Sequence, residues 1–109
     1  MSYQDAGGYP TLAELRTWLK VPATILPDAE LEVMAAAEQA AQTRLDWGAG
    51  ELPADVVAAF YRRVARAAAA KNIPLGIIAA DAEYGTVRIG RYESEIERYE
   101  AAYVSPVIA

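Results

Sequence analysis

The densest set of chemically active groups in the chain is acidic: Glu93, Glu95, Glu97 and Glu100, close to the C-terminus. Two carboxylates can divide acid and base work when their surroundings push their pKa values apart. The spacing here works against that. Residues two apart on a helix point in different directions, so the set reads as a solvated helix face. Asp28, Glu30 and Glu32 form a second group, placed where carboxylates favour the positive end of a helix dipole. The chain has no histidine and no cysteine. That removes the commonest general base, the commonest metal ligand, any thiolate site and any disulfide. Ser94 and Ser105 have no base to activate them. Gly48, Gly50, Gly85 and Gly90 precede no Gly-Lys-Ser/Thr, so they read as turn glycines and not as a phosphate cradle. No catalytic, cofactor-binding or metal-ligating residue is assigned, no cofactor is expected, and the chain is not expected to be an enzyme.

One basic cluster stands out, Arg62, Arg63, Arg66 and Lys71. It spreads over a broad arc of a helix, where it either solubilises that helix or pairs with acidic neighbours. The 15 acidic against 10 basic residues give a net charge of −5, which argues against wrapping a nucleic-acid backbone. No stretch approaches the roughly 18–20 apolar residues of a membrane span, so no membrane partner is expected. Met1 to Pro10 lacks the basic start and apolar centre of a signal peptide. Together with the absence of cysteine, this leads us to expect a protein kept inside a cell.

The elements that must position these groups are helices. A chain of 109 residues is sized for one domain, and 54% hydrophobic residues rule against disorder. Much of that fraction is alanine, which buries little surface, so the core of a lone chain should be thin. Residues 1–9 carry no periodic pattern and read as a flexible arm. Thr11 and Glu14 make a capping-box pattern ahead of Leu12, Leu15, Trp18 and Leu19, and Pro22 should end that helix. Asp28 is the expected N-cap of a second helix with Leu31, Met34, Ala35, Ala41 and Leu45 on one face, stopped by Trp47-Gly48-Ala49-Gly50. Pro53 opens a third, whose stripe is Val56, Val57, Phe60, Val64, Ala67 and Ala68, closed by Asn72 and Pro74.

Between Ile73 and Arg91 the pattern changes. Thr86-Val87-Arg88-Ile89 alternates like a strand, with Ile77-Ile78 as a candidate partner, so the segment is either a two-stranded ribbon or an irregular loop. A last helix follows to Tyr103, carrying Tyr92, Ile96, Tyr99 and Tyr103 on one seam. The expected fold is mainly α: a small bundle of about four helices, with a long loop or short β-hairpin between the last two. The expected organisation is an arm over 1–9, a helical domain over 10–103 and an apolar tail over 104–109. The tyrosine seam either docks the last helix on its own core or forms a subunit interface, where aromatic anchors are enriched. Val104, Val107 and Ile108 are too few to make a core alone and are better satisfied against a neighbouring chain.

The order of TLAELRTWLKV, PDAELEVMAAAEQAA, LPADVVAAFYRRVARAAAAKN and a closing GRYESEIERYEAAY resembles the head-to-tail connector (adaptor, or head completion) proteins of long-tailed bacteriophages. The resemblance spans roughly residues 10 to 103. It implies a non-enzymatic virion protein at the head–tail interface, assembled in the bacterial host cytoplasm. Such subunits form a ring, usually a dodecamer, below the portal protein; the ring extends the DNA channel without reading sequence and docks stopper or tail-completion proteins. Contacts are implied for the seam and tail (Tyr92, Ile96, Tyr99, Tyr103, Val104, Pro106, Val107, Ile108) and for the loop (Tyr84, Val87, Arg88, Ile89, Arg91). The alternative is a small phage DNA-binding helical module, of the terminase small-subunit or helix-turn-helix type, with the arginine-bearing third helix as its reader.

Overall fold

The computed structural model describes residues 3–48, 50–76 and 85–104, with 85–90 represented by their backbone. Among the described residues four α-helices carry the fold: α1 (Leu12–Leu19), α2 (Asp28–Gln42), α3 (Ala54–Ala70) and α4 (Gly85–Glu100), followed by a 3₁₀ turn over Ala101–Tyr103. α3 touches each of the other helices and packs most extensively on α4. It is the central post. The only β pairing among the described residues is an isolated antiparallel bridge between Leu45 and Val104. No helix among them is long and apolar enough to cross a membrane.

α1 starts as its sequence dictates. The Glu14 amide donates to Thr11 Oγ1 at 3.1 Å and the Thr11 amide donates to Glu14 Oε1 at 3.0 Å, completing the capping box. The helix stops at Leu19, ahead of Pro22, because Lys20 turns left-handed at φ 54°. α2 differs slightly from expectation. Its N-cap is Pro27, and Asp28 is the first helical residue, free to pair with Arg16 at 2.5 Å. It also ends at Gln42, ahead of the Trp47-Gly48 stop, so Leu45 lies beyond the helix and takes part in the bridge to Val104. α3 runs as expected from Pro53, closing where Asn72 adopts φ 59°.

Two expectations are corrected. Thr86–Ile89 is not a strand: the last helix begins at Gly85 and takes in Val87, Arg88, Ile89 and Arg91. The alternation over four residues was too short to set a period, whereas Ile89 stands three before Tyr92 and continues the helical spacing. Tyr84 and the candidate partner strand Ile77-Ile78 lie outside the described residues, as do Ser105 to Ala109. Residues 3–9 are not a free arm either. Tyr3 and Tyr9 pack on the core, with Tyr3 stacked on Phe60 at 5.6 Å and Tyr9 edge-on to it at 5.0 Å. Two isolated tyrosines with no helical period between them have no secondary structure to announce them, yet their burial on Phe60 is favourable.

The core is built from Leu15 and Leu19 of α1, Leu31, Met34 and Ala35 of α2, Phe60, Val64, Ala65 and Ala68 of α3, and Tyr92 of α4. Val21, Leu26 and Leu75, from the connections, close it. The alanines let α3 approach its neighbours closely but contribute little area each, so the large side chains carry most of the burial energy. Gly76 marks one tight approach. A Cβ there would stand 2.4 Å from the Lys20 carbonyl oxygen, to which the Gly76 amide donates at 2.9 Å. Gly76→Ala is expected to cost about 1–3 kcal/mol through this overpacking, read as a lower urea midpoint with an unchanged slope.

Candidate functional site

The glutamate-rich C-terminal helix is not a uniformly solvated face. Glu93 and Glu97 are exposed, but Glu95 and Glu100 are buried, at 8% and 2% exposure. For Glu100 the helical period explains it. Glu100 falls four residues after Ile96, which falls four after Tyr92, so all three share the stripe that faces α3. Arg63 is likewise carried into the interior, three residues after Phe60 on the apolar stripe of α3.

These two buried charges meet. Arg63 Nε and Nη2 donate to Glu100 Oε2 and Oε1 at 2.6 and 2.7 Å, a two-pronged pair. Gln42, fully buried at the end of α2, donates to the same Glu100 Oε2 at 2.9 Å and to the Val56 carbonyl at 3.0 Å. The Tyr9 hydroxyl in turn donates to Gln42 Oε1 at 3.1 Å. Glu38 stands 3.6 Å from Arg63 Nη1. One network thus ties the N-terminal segment, α2, α3 and α4 together. Burial opposes ionisation of Glu100, but hydrogen bonds from Arg63 and Gln42 hold its carboxyl below the usual range. The hydrogen bond to Glu100 raises the Arg63 guanidinium, against a smaller effect of burial.

A second pair lies further up the same helix contact. Arg62 bonds Glu95, which also pairs with Arg91 at 3.0 Å. The Arg62 guanidinium sits 4.9 Å from the Tyr99 ring centre and 5.6 Å from that of Trp18. Burial works against the Glu95 carboxylate, yet Arg62 and Arg91 lower its pKa overall. The arginines of α3 therefore serve the helix contact: of the sequence cluster, Arg62 and Arg63 are engaged by glutamates of α4.

The expected interface residues separate. Tyr92 and Ile96 are 2% and 3% exposed and belong to the chain's own core, so they are withdrawn from any intersubunit surface. Tyr99 and Tyr103 are half-buried, and Val104 is 51% exposed. The Asp46 amide donates to the Tyr103 carbonyl at 2.8 Å, which ties the turn after α4 to the connection between α2 and α3. Beside that turn a cleft of about 700 Å³ opens between α3 and α4, lined by Arg44, Arg66, Glu93, Glu97 and Val104 among others. Arg91 is an exposed α4 residue, not a loop contact, and Val87, Arg88 and Ile89 enter the helix. Pro106, Val107, Ile108 and Tyr84 fall outside the described residues. Sequence reading missed Gln42, Arg63, Glu95 and Glu100 as a set; the available signal was a polar residue in register with an apolar stripe.

Chemically the network is saturated with partners and almost closed to solvent, which suits a structural tie. Among the described residues no group of three or more acidic side chains is arranged to hold a metal ion. No protein-family model, curated protein or solved structure matches the chain.

Breaking the buried pair leaves an uncompensated charge, so Glu100→Gln is expected to cost about 3–5 kcal/mol in chemical denaturation. Replacing both partners, as in Arg63→Met with Glu100→Leu, is expected to recover most of that loss. The pH dependence has a definite sign. A carboxyl whose pKa is lower in the folded state stabilises above its unfolded value of about 4.3, and that contribution is lost as pH falls through the folded value. Acid titration of stability should therefore be flatter in the double variant than in the parent chain.

Proposed function

We propose that this chain is a structural virion protein, a head–tail adaptor subunit that works by packing against other polypeptides and performs no catalysis. Copies form a ring, twelvefold as the resemblance implies, below the portal protein. The ring continues the DNA channel without sequence recognition and presents a platform for a stopper or tail-completion protein. Its place is the head–tail interface of the virion, reached after assembly in the bacterial host cytoplasm.

The observation that carries this reading is the surroundings of Val104. Val104, exposed and apolar, is pinned by the bridge to Leu45 beside a cleft with charges of both signs. The sequence that follows it holds Val107 and Ile108. An apolar edge next to mixed charge has the make-up of a subunit interface, with a greasy centre and a polar rim. A core in which Ala35, Ala59, Ala65 and Ala68 hold buried positions also gains from further burial between copies. Tyr99 and Tyr103, half-buried at the same end, supply the aromatic part; Tyr92 and Ile96 do not.

The net charge of −5 fits a conduit wall from which phosphates are repelled. The DNA-binding alternative draws less support. Its reading helix needs arginines free to leave the protein, and Arg62 and Arg63 are held by Glu95 and Glu100.

Sedimentation of the purified chain, alone and mixed with the portal of its own phage, tests the proposal. The full chain is expected to enter a complex, and a chain lacking residues 104–109 is expected to lose that complex while keeping its unfolding midpoint. A full chain that remains a single copy at every concentration and ignores the portal overturns the reading. In a gel-shift series over salt concentration, duplex DNA should show weak binding without the steep slope of a multi-phosphate contact.

A further inference from the structure

Where α3 meets α4, arginines and glutamates answer each other. Arg62 bonds Glu95, Glu95 also meets Arg91, and Arg63 and Glu100 hold one another. The cleft beside Val104 departs from that pattern. Among the described residues Arg66, Glu93 and Glu97 take part in no ion pair, and Arg44 has only a 4.0 Å approach to Glu100. All four line one space of about 700 Å³, within the roughly 300–1,000 Å³ of clefts that take in a ligand. The cations come from α3 and from the connection after α2, whereas both carboxylates come from α4. Glu93 and Glu97 are exposed and stand four residues apart on one helix face, where like charges repel. Val104, 51% exposed, adds an apolar contact to the same space.

We propose that this cleft receives a segment of a different protein, one that carries an apolar side chain between a carboxylate and a lysine or arginine. The carboxylate pairs with Arg66 and Arg44, the cation settles between Glu93 and Glu97, and the apolar group covers Val104. Charge complementarity selects this occupant. A phosphate or other simple anion is repelled by the two glutamates, and a simple cation by the two arginines. The sequence that follows Val104, Ser-Pro-Val-Ile-Ala, carries no charged side chain and so cannot answer either pair. A segment bearing both signs meets both, and opposite potentials facing across an interface fix its register and exclude other partners. Arg63 and Glu100 take no part, since each already holds the other. This inference deepens the proposed adaptor role and rests on its claim that the chain docks on other virion proteins.

Charge reversal tests it. Arg66→Glu and Glu97→Arg are made singly and together, and each chain is sedimented alone, with the portal and with the stopper protein of its own phage. The double variant keeps the net charge of −5, so a loss that persists in it arises at the cleft and not from the overall field. Each single variant is expected to bind one of the two proteins roughly tenfold more weakly or worse, because like charges brought together in an interface are costly, and the double variant more weakly still. Glu93→Gln with Glu97→Gln, at two exposed positions, is expected to weaken the same complex while leaving the unfolding midpoint in place. Variants that bind both proteins as the parent does overturn the proposal and leave the adaptor reading standing. So do variants that keep both complexes but no longer associate with one another, since the occupant is then a second copy. A parent chain that joins neither protein overturns both.

Discussion

The fold depends on a buried ion pair that has to be fully answered. Arg63 and Glu100 are carried into the interior by helices whose other inward residues are mostly apolar, and neither charge tolerates that position alone. The two-pronged contact between them satisfies most of both groups, and Gln42 takes a further position on the carboxylate. Because the partners sit on α2, α3 and α4, the requirement fixes how these helices are placed along one another. Apolar packing alone leaves such sliding poorly determined in an alanine-rich chain, since small side chains interlock weakly. A polar network that is satisfied in one arrangement penalises the others.

The same constraint reaches the ends of the chain. Tyr9 bonds the side-chain oxygen of Gln42, so the N-terminal segment is tied to the network that joins the helices. Glu100 closes α4, and the turn that follows brings Tyr103 and Val104 against Asp46 and Leu45. Both ends of the described chain are thus held against the rest of the fold.

Charge is divided accordingly. In the closing helix Glu95 and Glu100 turn inward to arginines of α3, while Glu93 and Glu97 face the cleft and solvent. The arginines that a linear reading offers to nucleic acid are largely spent inside the protein. What remains at the cleft, Arg44 and Arg66 beside Glu93 and Glu97, is a mixed surface that suits another protein better than a phosphate backbone.

By itself the sequence determined the class of the fold and most of its helices. The Thr11–Glu14 box, Pro53 and the apolar stripe of α3 act within a few residues, and local signals of that kind survive into the tertiary structure unchanged. The absence of histidine and cysteine was equally plain and narrowed the chemistry from the start. The tertiary structure alone decided which charges are buried, because whether Glu100 faces water or Arg63 depends on which helix lies opposite. It also decided that Tyr92 and Ile96 belong to the core while Val104 stays exposed, and that Tyr3 and Tyr9 dock on Phe60. Those outcomes join residues 33 to 58 positions apart, as in Tyr9 with Gln42 and Gln42 with Glu100, and no local pattern encodes a partner at that distance.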